Sequence, residues 1–350
     1  GGWGGRGKEA AALGPVFHLP QMGKGGEGGV PVPKGAVRPP PQPSPSGGGR
    51  RGRGCRMSGP SPMASACSFL FVPGDRPERV PKALASGAHA VIVDWEDAVA
   101  PAAKAGARLG LTELLPTLPA ADRARLALRI NAAGTPWHAD DVAALPTLAT
   151  QGLGAVVVPK AESAAALQPV AAALGGQGAL LPLIESAAGL EAVRAIAAAP
   201  QVARLLFGHL DFQADLGLAC GPDEAELVPV RLQIVLASRL AGVVPPVDGV
   251  TTDTQDTALV QSHAARALRG GFGGKLCIHP AQVAAVHAAF APAPEQADWA
   301  RRVVDGFAAA QGGVFSIDGR MVDAPVVALA RQVLARAARI RVPQGASGLG

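Results

Sequence analysis

A (β/α)8 barrel followed by a C-terminal helical appendage is the fold class this sequence predicts, and three observations carry it. From Ser68 onward, short apolar runs alternate with segments of helical period, eight of each over about 220 residues. Charged side chains gather just past the ends of those runs, where parallel α/β folds place their sites. No Gly-x-Gly-x-x-Gly follows any run, which disfavours the runner-up, an open doubly wound sheet binding a dinucleotide.

The first run, SFLFVPG from Ser68, closes on Pro73-Gly74, and a helix follows over Glu78–Ser86. The second, Ala90–Val93, gives way to Asp94-Trp95-Glu96-Asp97 and a helix over Ala103–Leu118. The third, Leu126–Ile130, ends in Arg129-Ile130-Asn131, with a helix through Ala149. The fourth, Ala155–Val158, ends in Pro159-Lys160 and leads into an Ala-rich helix. The fifth, Leu180–Ile184, stops at Glu185; Leu190, Val193 and Ile196 then mark a helix over Ala187–Ala199. The sixth, Leu205–Phe207, stops at Gly208 and leads to Asp211. Helices over Glu224–Ala241 and Asp256–Leu268 flank the seventh, Val247–Val250, and the eighth, Lys275–Ile278, precedes a helix from Ala281.

The barrel is thus expected over residues 63–293. Beyond it, a helix over Gln296–Ala310, the segment VFSIDGRMVDAPVV and a last helix to Arg341 form an extension, 294–341. That extension must pack outside the barrel or on a neighbouring subunit. Residues 1–62 are Gly- and Pro-rich and bury too little apolar surface to offset the entropy of ordering. They read either as a disordered basic arm or as an artefact ahead of a natural start at Met57 or Met63.

Composition narrows the function. The net charge of +5 is misleading, because residues 1–62 hold nine Lys and Arg against two Glu, leaving the rest net negative. A nucleic-acid partner would rest on that tail alone, so it is rejected for the folded part. No apolar run approaches the roughly 20 residues that span a bilayer. The four cysteines (Cys55, Cys67, Cys220, Cys277) show no metal-site or redox spacing, and they read as reduced thiols of a cytoplasmic protein.

The chemistry-bearing residues lie at the expected carboxyl ends of the strands. Glu185 and Asp211 end consecutive strands of a strand–helix–strand unit, so they converge on one face of a parallel sheet. Each acid alone reads as a helix cap; the pair, in matching places, points to a hard cation such as Mg²⁺. Arg129 enters the mouth either to hold a carboxylate and an enolate oxygen or as a buried ion pair with Glu96 or Asp97. Arg76 sits in a Pro/Gly loop suited to phosphates, and Lys275 is placed to meet one. Lys160 ends a strand as a Schiff-base lysine would, but the acid pair already supplies an electron sink. His279, beside Pro280, reads as a structural hydrogen-bonder. Asp323 reads from the residues alone as the cap of the final helix, with Pro325 in its first turn.

The segments LIESAAGL and LLFGHLDFQADLG, with VDWEDAV, LRIN, FVPGDRPERV and GFGGKLCIHP in order, resemble the citrate lyase beta-subunit family. That family includes malyl-CoA and citramalyl-CoA lyases and belongs to the metal-dependent 2-oxo acid aldolases. The resemblance spans about residues 65 to 335. It implies that Glu185 and Asp211 hold Mg²⁺, that Glu96 and Asp97 surround the metal's ligands, and that Arg129 contacts substrate oxygens. It implies contacts from the Arg76 loop to coenzyme A or to a substrate carboxylate. It also implies that Asp323 reaches a neighbouring subunit's mouth as general acid/base, in a homotrimer or hexamer. Phe212 and Gln213 stand where the family has an aliphatic residue and Ala, and Cys67 where it usually has Arg. The expected activity is cleavage of a malyl-, citramalyl- or citryl-thioester to acetyl-CoA and a 2-oxo acid. The thioester could sit on free CoA or on an acyl-carrier subunit. A thioesterase on the same site, or a non-catalytic acyl-thioester-binding protein, are the alternatives.

Overall fold

The computed structural model describes residues 61–340, with side chains through residue 338. The segment expected to be disordered, 1–62, lies outside the described residues apart from its last two positions, as do residues 341–350.

Eight strands form a closed, all-parallel barrel: β1 (Ser68–Pro73), β2 (Ala90–Asp94), β3 (Leu126–Arg129), β4 (Ala155–Val158), β5 (Ala179–Ile184), β6 (Leu206–Phe207), β7 (Val247–Asp248) and β8 (Gly274–Cys277). Closure comes from β1 pairing with both β2 and β8, with Ser68 opposite Lys275. A helix or helix pair follows every strand, as the alternation of short apolar runs with 3.6-period segments requires.

Side-chain parity organises the interior. Phe69, Ala90, Ile92, Ala127, Leu181 and Leu183 belong to the cluster that fills the barrel. Their neighbours Leu70, Val91, Val93, Leu126 and Leu128 pack outward with the helices. Below the strands, Met63 and Ala66 join the inner cluster, and Arg204 donates to the carbonyls of Met63 and Ala66.

Two segments depart from expectation. The helix expected over Ala187–Ala199 breaks into Ala187–Glu191 and Val193–Ala197, because Ala192 leaves helical geometry at ψ 0°. The seventh strand stops at Asp248. Gly249 carries the chain past His209, and a Cβ there would lie 2.1 Å from Nδ1 of that ring.

The C-terminal extension holds a helix over Pro294–Ala309, a hairpin of β9 (Phe315–Ile317) and β10 (Arg320–Val322), and a helix over Ala324–Ile340. Asp318 and Gly319 both take positive φ, the two-residue turn that Asp-Gly favours. Ala300, Val303, Val322, Val327 and Ala330 form a separate small core there. Among the described residues no helix is long and apolar enough to cross a membrane.

Candidate active site

The inward parity of the strands delivers charge to the carboxyl-end mouth. On β2 the inward series Ala90, Ile92 ends in Asp94; on β3 Ala127 is followed by Arg129; on β5 Leu181 and Leu183 lead to Glu185. These three side chains line one cavity of about 380 Å³, together with Asp97, His209 and Asp211. Phe71, Leu183, Phe207, Val250 and Leu276 supply its apolar wall.

Arg129 is held from several sides. Its Nε and Nη2 donate to the two oxygens of Asp94 at 2.7 and 2.6 Å, a bidentate pair. Nη1 lies 3.0 Å from Glu96 Oε2 and 3.1 Å from Asp97 Oδ2. Asp94 also accepts from the backbone N–H groups of Glu96 and Ala98, so the carboxylate cannot turn away. The guanidinium lies over the Phe71 ring at 5.1 Å. The ion pair and the place at the mouth, alternatives when read from sequence, are thus one arrangement.

Sequence reasoning does not single out Asp94, which reads there as the first of a loop's three acids. Its signal is parity, two positions past Ile92 on the inward face. Lys104, also unanticipated, fixes the loop after β2. Its Nζ donates to the carbonyls of Trp95 and Glu96 and to Asn131 Oδ1, at 2.8, 2.9 and 2.6 Å. Asn131 is held in turn by Asp141.

Glu185 is 4% exposed, and its Oε1 accepts the Lys160 backbone N–H at 2.7 Å. Lys160 adopts φ +43°, so its backbone orients Glu185 while its side chain is exposed. Gly208 passes on the other side, where a Cβ would sit 2.6 Å from Glu185 Oε2. Asp211 stands in the first turn of the helix over His209–Leu216.

Five carboxylates (Asp94, Glu96, Asp97, Glu185, Asp211) therefore surround one guanidinium. Burial pushes Glu185 up to about 7, against the Lys160 N–H and with added repulsion from Asp211. Burial likewise pushes Glu96 up to about 8, Arg129 opposing and Asp97 adding. A hard dication fits this donor set: it would take oxygens from Glu185 and Asp211, leaving positions for water and substrate, and would offset the excess negative charge. Replacing Gly208 by Ala should displace Glu185 and weaken Mg²⁺ binding by about 10- to 100-fold, read by calorimetric titration.

Beside the acids lies a second polar network. Arg231 pairs with Glu224 and donates to Asp248 at 3.0 Å, and His209 Nε2 lies 3.9 Å from Glu224. Burial pushes His209 down to about 4, with Glu224 opposing, so this cavity wall is a neutral imidazole at pH 7.

Other expected site residues fall elsewhere. Lys275 shares the outward face of β8 with Cys277, between barrel and helices, and its buried Nζ donates to the Gly249 carbonyl at 2.6 Å. An ammonium so committed is not offered to a phosphate, which corrects the sequence expectation. Arg76 is exposed on the loop after β1 and outside the cavity lining. His279 accepts the Ala281 N–H, a structural role. Asp323 lies outside the cavity of its own chain, and its Oδ1 accepts the Val326 N–H at 3.2 Å, a helix cap.

Residues 67–280 match the HpcH/HpaI aldolase/citrate lyase family. The chain is 38% identical over 287 residues to a citrate lyase subunit beta-like protein of Deinococcus radiodurans, covering 79% of this chain and 99% of that one. It is 33% identical to a (3S)-malyl-CoA thioesterase of Cereibacter sphaeroides, over 78% of this chain and 95% of the relative. Among solved structures it is similar to the CitE protein of Mycobacterium tuberculosis in complex with magnesium, acetoacetate and coenzyme A. That match has a TM-score of 0.67 at 36% identity and covers 79% of this chain and 99% of that chain.

Proposed function

We propose, from the premise that this chain belongs to the HpcH/HpaI aldolase/citrate lyase family, that it is a Mg²⁺-dependent carbon–carbon lyase. Its substrate would be the CoA thioester of a 3-hydroxy di- or tricarboxylic acid of the malyl, citramalyl or citryl type. The products would be acetyl-CoA and a 2-oxo acid. The observation that carries this reading is the convergence of Glu185, Asp211 and Arg129 on one cavity at the barrel mouth.

Glu185 and Asp211 would hold the metal, which when bound supplies Lewis-acid stabilisation of charge on a substrate carbonyl. Arg129, kept in place by Asp94, Glu96 and Asp97, sets a fixed positive charge on the same wall. The apolar side chains around them exclude water and strengthen both effects. A cavity of about 380 Å³ suits the acyl head and not the far larger coenzyme, which would extend toward the exposed loop bearing Arg76. Asp323, delivered by a neighbouring subunit, would move the proton on the acetyl methyl carbon. The magnesium- and coenzyme A-bound CitE structure and the citrate lyase beta-like relatives support this assignment.

A second reading is favoured by the similarity to a (3S)-malyl-CoA thioesterase: the same site could direct water to the thioester. Incubation with a panel of CoA esters, with products identified by mass spectrometry, separates the two. Cleavage releases acetyl-CoA and a 2-oxo acid; hydrolysis releases free CoA and the intact hydroxy acid. If no ester yields acetyl-CoA in the presence of Mg²⁺, the lyase assignment is wrong.

A further inference from the structure

At the end of the barrel opposite the mouth lies a second cavity, of about 450 Å³. Its floor comes from residues just ahead of three strands: Cys67 before β1, Pro246 before β7 and Gly273 before β8. The helices over Val228–Ala241 and Ala324–Ile340 supply its sides. Val235, Val243, Leu268, Phe272 and Phe290 give it an apolar lining. A volume of this size falls within the roughly 300–1,000 Å³ of ligand pockets.

The charge in that lining is of one sign. Arg239 and Arg336 line the cavity from the two helices, and among the described residues no carboxylate does. Neither guanidinium forms an ion pair among the described residues. Arg336 Nε is buried without a hydrogen-bond partner, and burial pushes that guanidinium below the ordinary arginine value with no acid to offset it. The hydroxyls of Ser65 and Ser238 already donate to the carbonyls of Pro62 and Ile234, at 3.1 and 2.9 Å. The arginines are thus the charged donors left for a ligand.

These features constrain the ligand together. An inorganic anion would pair with the arginines but leave the apolar lining against water. A neutral hydrocarbon would fill the lining but leave the buried Nε without an acceptor. A carboxylate accepts from a guanidinium in a bidentate pair, and an aliphatic body covers the rest. We propose that this cavity is a binding site for a small organic carboxylate with an aliphatic body, separate from the metal and substrate site at the mouth. Arg336 and Arg239 hold the carboxylate, and the chain lies against Val235, Leu268, Phe272 and Phe290. Bound there, the ligand ties the last helix, capped at its far end by Asp323, to the base of the barrel and stabilises the fold.

The probe is octanoate, titrated calorimetrically into the full chain with Mg²⁺ saturating and no phosphate in the buffer. One octanoate per chain should bind and raise the melting temperature. Acetate, which lacks the chain, and octanol, which lacks the charge, should each bind at least about 10-fold more weakly. Arg336→Gln should weaken octanoate binding about 10- to 100-fold and leave the circular dichroism spectrum unchanged. Binding should persist in Glu185→Gln, because the mouth takes no part in it. The proposal is overturned if wild type shows no saturable binding, or if acetate or octanol binds as tightly as octanoate. It is equally overturned if Arg336→Gln binds like wild type or if Glu185→Gln loses binding. Should Arg336→Gln not fold, Arg239→Gln, at an exposed position, decides instead: an unchanged affinity there overturns the site.

Discussion

Glu185→Gln or Asp211→Asn is expected to lower turnover by about 10³-fold or more while leaving the barrel folded. Each change keeps size and shape but removes one negative charge from the proposed metal site. In Glu185→Gln the side-chain amide keeps a carbonyl oxygen, which still accepts the Lys160 N–H that positions Glu185. In metal-free buffer Glu185→Gln should melt no lower than wild type, because the charge it removes is held among other carboxylates in a buried place.

The pH dependence has a definite sign. The Glu185 carboxyl is pushed above its ordinary value, to about 7, so its contribution is fully present below about 4.5 and is lost as pH rises through 7. Metal-free wild type should therefore lose up to about 3 kcal/mol more stability over that interval than Glu185→Gln, the loss from Glu96, pushed up to about 8, being common to both. Saturating Mg²⁺ should reverse that excess in wild type only. Activity measured after chelation and Mg²⁺ repletion checks the assignment: either variant working at the wild-type rate removes that residue from the metal site.

The barrel was legible because each of its strands is a short apolar run cut off by a polar or Gly/Pro break, and each helix carries a 3.6-residue period. Glu185 stood out because it directly ends such a run. Asp94 was harder to see: it ends an equally clear run but is followed by two more acids; inward parity separates it from Asp97, and only the end of the strand separates it from Glu96. Lys275 was misplaced for the same reason, since one residue of parity decides between the mouth and the layer beneath the helices. The hairpin of β9 and β10 had its signal in Asp318-Gly319, but its flanking strands are only three residues each and half-exposed. The break at Ala192 has no such signal, because alanine favours helix.

Asp323→Asn separates two roles for one residue. In the structure Asp323 caps the last helix through Val326 N–H, and Asn caps a helix about as well as Asp. If capping is its whole purpose, the variant keeps both melting temperature and turnover. If it is the proton carrier proposed above, turnover falls by about 10²- to 10⁴-fold while Mg²⁺ binding and melting temperature hold. The general-acid role requires another subunit, because Asp323 lies outside the cavity of its own chain. Val228, Leu232, Leu236 and Leu240 form an exposed apolar stripe at four-residue spacing, a surface that self-association would cover. Mixing Asp323→Asn with Glu185→Gln, each inactive alone, then gives the sharper test. After subunit exchange, some mouths combine an intact metal site with an intact Asp323, and a fraction of the activity should return. Heteromeric assemblies that form and stay inactive would confine Asp323 to its cap.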